Sequence, residues 1–199
     1  MGFVIRLAKR LTRAYSAFAF AERAFLMTVL AVCLSIPCLN AAEAATVALL
    51  PLVNNVEGNE LANQVYYNNA IKALKSMPGF VIVENNQLNA AIEANKVAGS
   101  VPSEAALAKI AKEGNVDIVF GMQLDKLGKK PMNRVGERMV KLDLLGKAVA
   151  YNRLNGVYYS HNVRGDKEID ETLTSRWDWP HEEFGRSVRQ EISRALRAK

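Results

Sequence analysis

Apolar and polar positions along the chain follow two spacings, which indicate strands and helices in turn. Residues 46–52 form a nearly continuous apolar run, which is typical of a strand buried on both faces. Residues 59–76 have helical spacing and begin at Asn59, a favourable N-cap. The predicted buried stripe of this helix is Tyr67, Ile71 and Leu74. Residues 80–84 are rich in β-branched side chains and predict a second strand, so the segment predicts a right-handed βαβ unit.

The rest of the chain divides in the same way. The predicted elements are helices at 86–95 and from Ser103 to Gly114, strands at 116–124, 140–151 and 156–165, and a last helix at 180–198. Asn155-Gly156 is a turn signal and predicts an antiparallel hairpin. Residues 126–139 contain glycines and a proline, which predict a loop. This loop carries the basic residues Lys126, Lys129, Lys130, Arg134 and Arg138.

The order β-α-β-α-α-β-β-β-α predicts a single α/β domain with a mixed sheet and helices packed on it. The first half of the sheet would be parallel and the hairpin would extend it. The last helix has one clearly apolar face, made of Phe184, Val188, Ile192, Ala195 and Leu196. A chain of 199 residues is consistent with one such domain.

The first 44 residues have the three parts of a signal peptide: positive charge, an apolar stretch and a small-x-small site. The site is Ala42-Glu43-Ala44, and we expect cleavage before Ala45. The predicted division is therefore a signal segment at 1–44 and a domain at 45–199. Such a segment predicts export to the periplasm or cell envelope.

Two alternatives to cleavage are open from the sequence. Residues 24–42 carry no charge and are long enough to span a bilayer, so an uncleaved membrane anchor is one of them. A lipoprotein is the other, with Cys33 or Cys38 acylated, although neither follows the Gly, Ala or Ser that lipid attachment favours.

Removal of the signal segment changes the charge and the thiol content. Five of 26 basic and two of 20 acidic residues precede position 45, which leaves 21 basic against 18 acidic residues and a net charge of +3. Such a balance does not indicate nucleic-acid binding. Both cysteines lie before position 45, so a cleaved chain has no disulfide and no thiol nucleophile.

The sequence indicates no catalytic or metal site, so we expect neither an enzyme nor a cofactor. A hydrolytic triad could be assembled from Ser160, His161 and Asp166. No nucleophile motif such as GxSxG supports it. The first βα loop has only Gly58 and no phosphate-binding pattern. A cluster of acids lacks EF-hand spacing and is interpreted as a solvated turn: Asp166, Glu168, Asp170 and Glu171.

Two segments are candidate contact sites. Trp177, Trp179 and Pro180 could form an exposed patch, or the tryptophans could pack the last helix onto the sheet. The basic segment, with Lys129, Lys130 and Arg134 as candidate contacts, could bind anionic lipid or wall polymer, or could be a soluble loop.

Several short motifs resemble a known group of domains. The matching residues are Gly79, Phe80, Val83, Glu84, Gly114, Asp117, Gly121 and, at the hairpin turn, Gly156. The pattern over residues 46–198 resembles the α/β domain shared by the CsgG family, the TolB amino-terminal domain and the LpoB-type activators of penicillin-binding proteins. The resemblance implies a cell-envelope domain that binds proteins. The pore hairpins of CsgG and the propeller of TolB have no counterpart here, so their specific activities are not implied.

These observations predict an exported, non-catalytic envelope protein that binds other envelope proteins or copies of itself. The alternative is a periplasmic module for a small or polymeric ligand, using the loops around Asn54, Asn55 and Gly58 at the carboxyl ends of the parallel strands. A hydrolase is the third hypothesis.

Overall fold

The computed structural model describes residues 44–134, 136–172 and 179–198. Most of the predicted signal segment, including Ala42, lies outside the described residues, as does Trp177. The elements are β1 (Ala45–Leu49), β2 (Val53–Asn54), α1 (Leu61–Lys75), β3 (Phe80–Ile82), α2 (Asn86–Ala94), α3 (Glu104–Glu113), β4 (Ile118–Arg134), β5 (Glu137–Asn152), β6 (Val157–Gly165), β7 (Glu168–Asp170) and α4 (Trp179–Arg197).

The strands form one mixed sheet, as predicted. Five of them follow the order β3-β1-β4-β5-β6, while the short strands β2 and β7 pair with β4 and β5. β3, β1 and β4 run parallel, and β4, β5 and β6 run antiparallel. The change of direction follows from the connections, because helices link the parallel strands and tight turns link the antiparallel ones. The α/β fold class is confirmed.

Helices cover both faces of the sheet, and each face has its own core. α1 and α4 pack over the larger core, which includes Tyr66 and Phe184. α2 and α3 pack over the smaller core on the other face, which includes Leu107 and Val149. Successive residues of β1 contribute to opposite cores, as the two-residue period of a strand requires.

Helix α1 differs from its prediction in two ways. It begins at Leu61 rather than beside Asn59, because the Asn59 side chain is used elsewhere: its Oδ1 lies 2.8 Å from Nε2 of His181. The buried stripe is also shifted by one position, so Tyr66 is buried and Tyr67 is 42% exposed. The buried residues of the helix are Ala62, Tyr66, Ala70, Ala73 and Leu74.

Helices α2 and α3 agree with their predictions. Asn85 caps α2 by accepting a hydrogen bond from the N–H of Leu88 at 2.7 Å, and Ser103 caps α3. α3 ends at Gly114, but this glycine has an ordinary φ of −77°. Glycine is needed there for space, since a Cβ would lie 2.7 Å from Cδ1 of Leu88.

Residues 126–139, predicted as a loop, form most of a long antiparallel hairpin. This prediction was wrong. β4 and β5 stay paired from Ile118 with Asn152 to Arg134 with Glu137. Pro131 is tolerated because, in the described part of the chain, β4 has no neighbour on its other side beyond Leu124.

A β-bulge at Asp125 interrupts the hairpin, where the register shifts between Leu124 and Lys126. Gly146 lies opposite this bulge. A Cβ at Gly146 would lie 2.3 Å from the carbonyl oxygen of Gln123, so a side chain cannot fit without moving the backbone.

The predicted hairpin of β5 and β6 is confirmed, and Gly156 at its turn has a φ of +70°. The chain then continues along the same edge of β5 as β7, which the sequence did not predict. Glu168 and Asp170, interpreted as part of a solvated turn, instead lie on this short strand and face Lys141 and Met139.

Candidate functional site

The basic segment lies on the part of the hairpin beyond the bulge, residues 126–134 of β4 and 137–145 of β5, here named the arm. One face of the arm belongs to the larger core, through the buried side chains of Val140, Leu142 and Leu144. The intervening positions of β5, Met139, Lys141, Asp143 and Leu145, point to the other face and are only half-buried. The arm is therefore anchored along one face and accessible on the other.

The register decides which cations share a face. Lys129 lies opposite Leu142, and Lys130 lies opposite Lys141, so the two adjacent lysines point to opposite faces. Lys126, Lys130 and Lys141 share the accessible face instead. Lys141 was not among the predicted contacts. It lies in the predicted strand 140–151, but residues 126–139 were predicted as a loop, so no partner strand placed Lys141 beside Lys130.

Arg134, the third predicted basic contact, lies at the end of the arm. Its backbone pairs with Glu137, and its side chain lies outside the described part of the structure.

Trp179 belongs to the core in this structure, with 6% of its surface exposed. It shares the larger core with Phe184 of its own helix and Val140 of the arm. Pro180 is also buried. The Trp179 ring is therefore not exposed as a contact patch would require. It packs the last helix onto the sheet, which is the other interpretation of this segment. Whether the segment binds a partner stays a prediction.

The loops at the carboxyl ends of the parallel strands use their polar side chains internally. Asn54 donates a hydrogen bond to the carbonyl oxygen of Asn59 at 2.7 Å and accepts one from the N–H of Val56. Asn55 donates to the carbonyl oxygen of Gly99 at 3.0 Å and to Asp125 at 2.8 Å. These amides therefore hold the loops in place.

Two buried carboxylates attach α4 to the edge of the sheet. Glu183 accepts a hydrogen bond from Lys167 at 2.6 Å, just after β6, and another from Arg186. Glu191, which is 2% exposed, accepts one from the Tyr159 hydroxyl at 2.6 Å and one from Arg194 at 2.7 Å. Each carboxylate thus has the partners that a buried charge needs.

Tyr159 and His161 of β6 both contact the carboxylate of Glu191 on α4. Burial raises the pKa of the Tyr159 hydroxyl, and the hydrogen bond to Glu191 raises this pKa further. His161 Nδ1 lies 3.1 Å from the same carboxylate. Ser160 follows Tyr159 and points to the opposite face of the sheet, so the structure does not bring Ser160 and His161 together.

The described residues contain no group of three or more His, Cys, Asp or Glu side chains placed to hold a metal ion. Asp170, a member of the acidic cluster, accepts hydrogen bonds from the hydroxyl and the N–H of Thr172, which lower the pKa of this carboxyl. Among the described helices, none has the length and apolar character to cross a membrane.

No protein-family model and no curated protein matches this chain. Several solved structures are similar to it. A hypothetical protein of Chlamydia trachomatis has 11% identity and a TM-score of 0.49, over 78% of this chain and 99% of the other. Lipoprotein GNA1162 of Neisseria meningitidis has 11% identity and a TM-score of 0.41, over 77% and 99%. The LpoB C-terminal domain of Salmonella enterica has 12% identity and a TM-score of 0.35, over 63% and 84%.

The residues that carried the resemblance to envelope domains have structural tasks. Gly79 has a φ of +89° in the turn before β3. Gly121 leaves room for Leu50, whose Cδ1 would be 3.0 Å from an added Cβ. Asp117 joins three parts of the chain, because it binds Thr46 of β1 and Arg153 of the turn after β5. Gly79, Gly121 and Asp117 therefore support the fold.

Proposed function

We propose that this chain is an exported, non-catalytic protein of the cell envelope that binds other envelope proteins or copies of itself through the accessible face of the arm. The observation that carries the proposal is the pairing of the basic segment into an anchored hairpin. A preformed surface loses little conformational entropy when it binds a partner. A flexible loop of the same sequence would lose more. The predicted export signal and the sequence resemblance to CsgG-, TolB- and LpoB-type domains support the location.

The accessible face offers both charge and apolar contact. Lys126, Lys130 and Lys141 are its cations, and Met132 and Met139 are half-buried beside them. Methionine adapts to irregular partner surfaces, and lysines favour an acidic partner. An acidic protein surface or strand is therefore the partner chemistry that fits the arm.

Site-specific photo-crosslinking in the native envelope tests this proposal. A photoreactive residue at Lys130 should give discrete protein adducts, whereas the same residue at Lys112, an exposed lysine on α3, should not. The double variant Lys126→Glu/Lys130→Glu, with the photoreactive residue at Met132, should lose the adducts and keep the unfolding temperature. Lys75→Glu/Lys112→Glu is the matched control with two reversed charges. Equal adduct yields from the arm and from α3 would contradict the proposal.

One observation favours an anionic lipid or wall polymer as a second candidate partner. Lys130 and Lys141 are directly opposite, and like charges in that position repel each other unless an anion lies between them. Glu168 on β7 lies opposite Lys141 on its other side. Cosedimentation with phosphatidylglycerol vesicles and with isolated cell wall, at low and high salt, tests this candidate. Binding that salt and Lys130→Glu both abolish would support it; no pelleting at low salt would reject it.

A further inference from the structure

The carboxyl end of β1 is a topological switch point. β1 lies between the parallel strands β3 and β4. The connection from β1 to β3 runs through α1 on one face, and the connection from β3 to β4 runs through α2 and α3 on the other. The two connections therefore diverge beyond β1 and leave a crevice. In open α/β sheets, ligands bind in this kind of crevice.

A cavity of about 150 Å³ occupies the crevice on the side of α2 and α3. Apolar side chains make most of its lining: Leu50, Pro51, Leu52, Val53, Ile92, Val97, Ala98 and Pro102. The charged lining residues Glu93 and Lys96 form an ion pair at 3.4 Å with side chains 66% and 63% exposed, so they belong to the rim. Pro51, Val97 and Ala98 are exposed to solvent, Val97 to 47%, so the cavity is a half-open groove with an apolar floor.

Polar contacts hold the wall of this cavity in place. Gln123 accepts a hydrogen bond from the N–H of Val101 at 3.1 Å and donates one to Asp125 at 2.6 Å. Asn55 joins Asp125 to the carbonyl oxygen of Gly99, which has a φ of +69°. The loop between α2 and α3 is therefore fastened to the sheet beyond the apolar core, and it does not collapse onto Leu50.

We infer that this cavity binds a small apolar molecule of about the size of benzene. An engineered apolar cavity of about 150 Å³ in another protein accepts benzene, so the volume fits. The lining fits as well, since small-molecule sites are mostly apolar with a polar rim. A charged ligand would lose part of its hydration against the apolar floor without gaining a partner there. The site is separate from the accessible face of the arm and independent of the function proposed above.

Titration of the folded protein with benzene, followed through methyl NMR signals, tests the inference. Saturable shifts should be confined to lining residues such as Leu52, Ile92 and Val97. Val97→Asp should weaken the affinity for benzene by about tenfold or more, because it places a carboxylate against the apolar ligand. The matched control is Val81→Asp, since Val81 is 51% exposed, lies on β3 and does not line the cavity. It should change the affinity by less than about twofold.

A second variant keeps the test decisive if Val97→Asp fails to fold. Ala98→Leu, in an exposed part of the loop, adds apolar volume to the cavity and should abolish the shifts while the unfolding temperature stays the same. Two results would overturn the inference: no saturable shift at the lining methyls, or equal shifts at methyls of the larger core such as Val188.

Discussion

The carboxylate of Asp117 accepts two hydrogen bonds from Thr46, one from the N–H at 2.9 Å and one from the hydroxyl at 2.8 Å. Arg153 donates a third at 2.9 Å to the other oxygen. Asp117→Ala removes all three bonds and leaves the donors of Thr46 without their acceptor. We expect a loss of about 2–4 kcal/mol in the free energy of unfolding, measured by urea denaturation.

A matched acid separates this effect from the loss of a negative charge. Asp170 is exposed, and within the described residues its carboxylate binds Thr172, two residues away, so Asp170→Ala should cost under about 1 kcal/mol. Equal losses for the two variants would show that the network of Asp117 contributes nothing specific.

The same network predicts a pH dependence. Burial, the largest single effect, raises the pKa of Asp117, but the hydrogen bonds from Thr46 and Arg153 outweigh it, so the pKa lies below the ordinary 3.8. A lowered pKa in the folded state stabilises the fold above the unfolded pKa, and this stabilisation is lost as the pH falls through the folded pKa. The stability difference between wild type and Asp117→Asn should therefore shrink below about pH 4. A difference that is constant down to pH 2 would contradict this assignment.

Gly146 and Gly128 form a matched pair on the hairpin. An added Cβ at Gly146 would meet the carbonyl oxygen of Gln123 at 2.3 Å, whereas at Gly128 nothing lies within 4 Å. Gly146→Ala should cost about 2–4 kcal/mol, because the bulge must move. Gly128→Ala should be neutral within about 0.5 kcal/mol. Thermal unfolding measures both, and a neutral Gly146→Ala would show that the bulge is adaptable.

Trp179 should behave as a core residue. Trp179→Ala removes a side chain with 6% exposure from the larger core, and we expect a loss of about 3–5 kcal/mol in urea denaturation. Leu154, which is 66% exposed in the turn after β5, is the apolar control, and Leu154→Ala should cost under about 0.5 kcal/mol. A stable Trp179→Ala variant that loses partner adducts would instead support the contact patch.

Amino-terminal sequencing of the protein recovered from the envelope tests the predicted cleavage. The first residue should be Ala45, which is also where β1 begins. The backbone N–H of Ala45 donates a hydrogen bond to the carbonyl oxygen of Gly79 at 2.8 Å. After cleavage, the new amino terminus at Ala45 would keep this donor. A start at Cys33 or Cys38 would indicate a lipoprotein, and an intact amino terminus would indicate an anchor.

The sequence predicted elements well where local chemistry determines them. The caps at Asn85 and Ser103 bind N–H groups three residues away, so their effect can be foreseen without a tertiary structure. Asn59 has the same chemistry but is not the cap of α1, because His181, 122 residues later, lies against its side chain. A competition between a local and a distant partner is not visible in a local pattern.

In the candidate site, too, some features follow from the local sequence and others from contacts between distant residues. The basic residues and the glycines of the arm were identified, but their local pattern indicated a loop. Pairing with β5 and burial of Val140 and Leu142 decided the extended structure, and the register then placed Lys141 opposite Lys130.

The sequence by itself determined the order of the helices and the longer strands, the mixed sheet and most helix ends, because side-chain periodicity and capping act within a few residues along the chain. The tertiary structure decided that the basic segment is an arm, that Trp179 is in the core and that a cavity opens beyond β1. Each of these depends on contacts between residues distant in sequence, whose energies no local pattern contains.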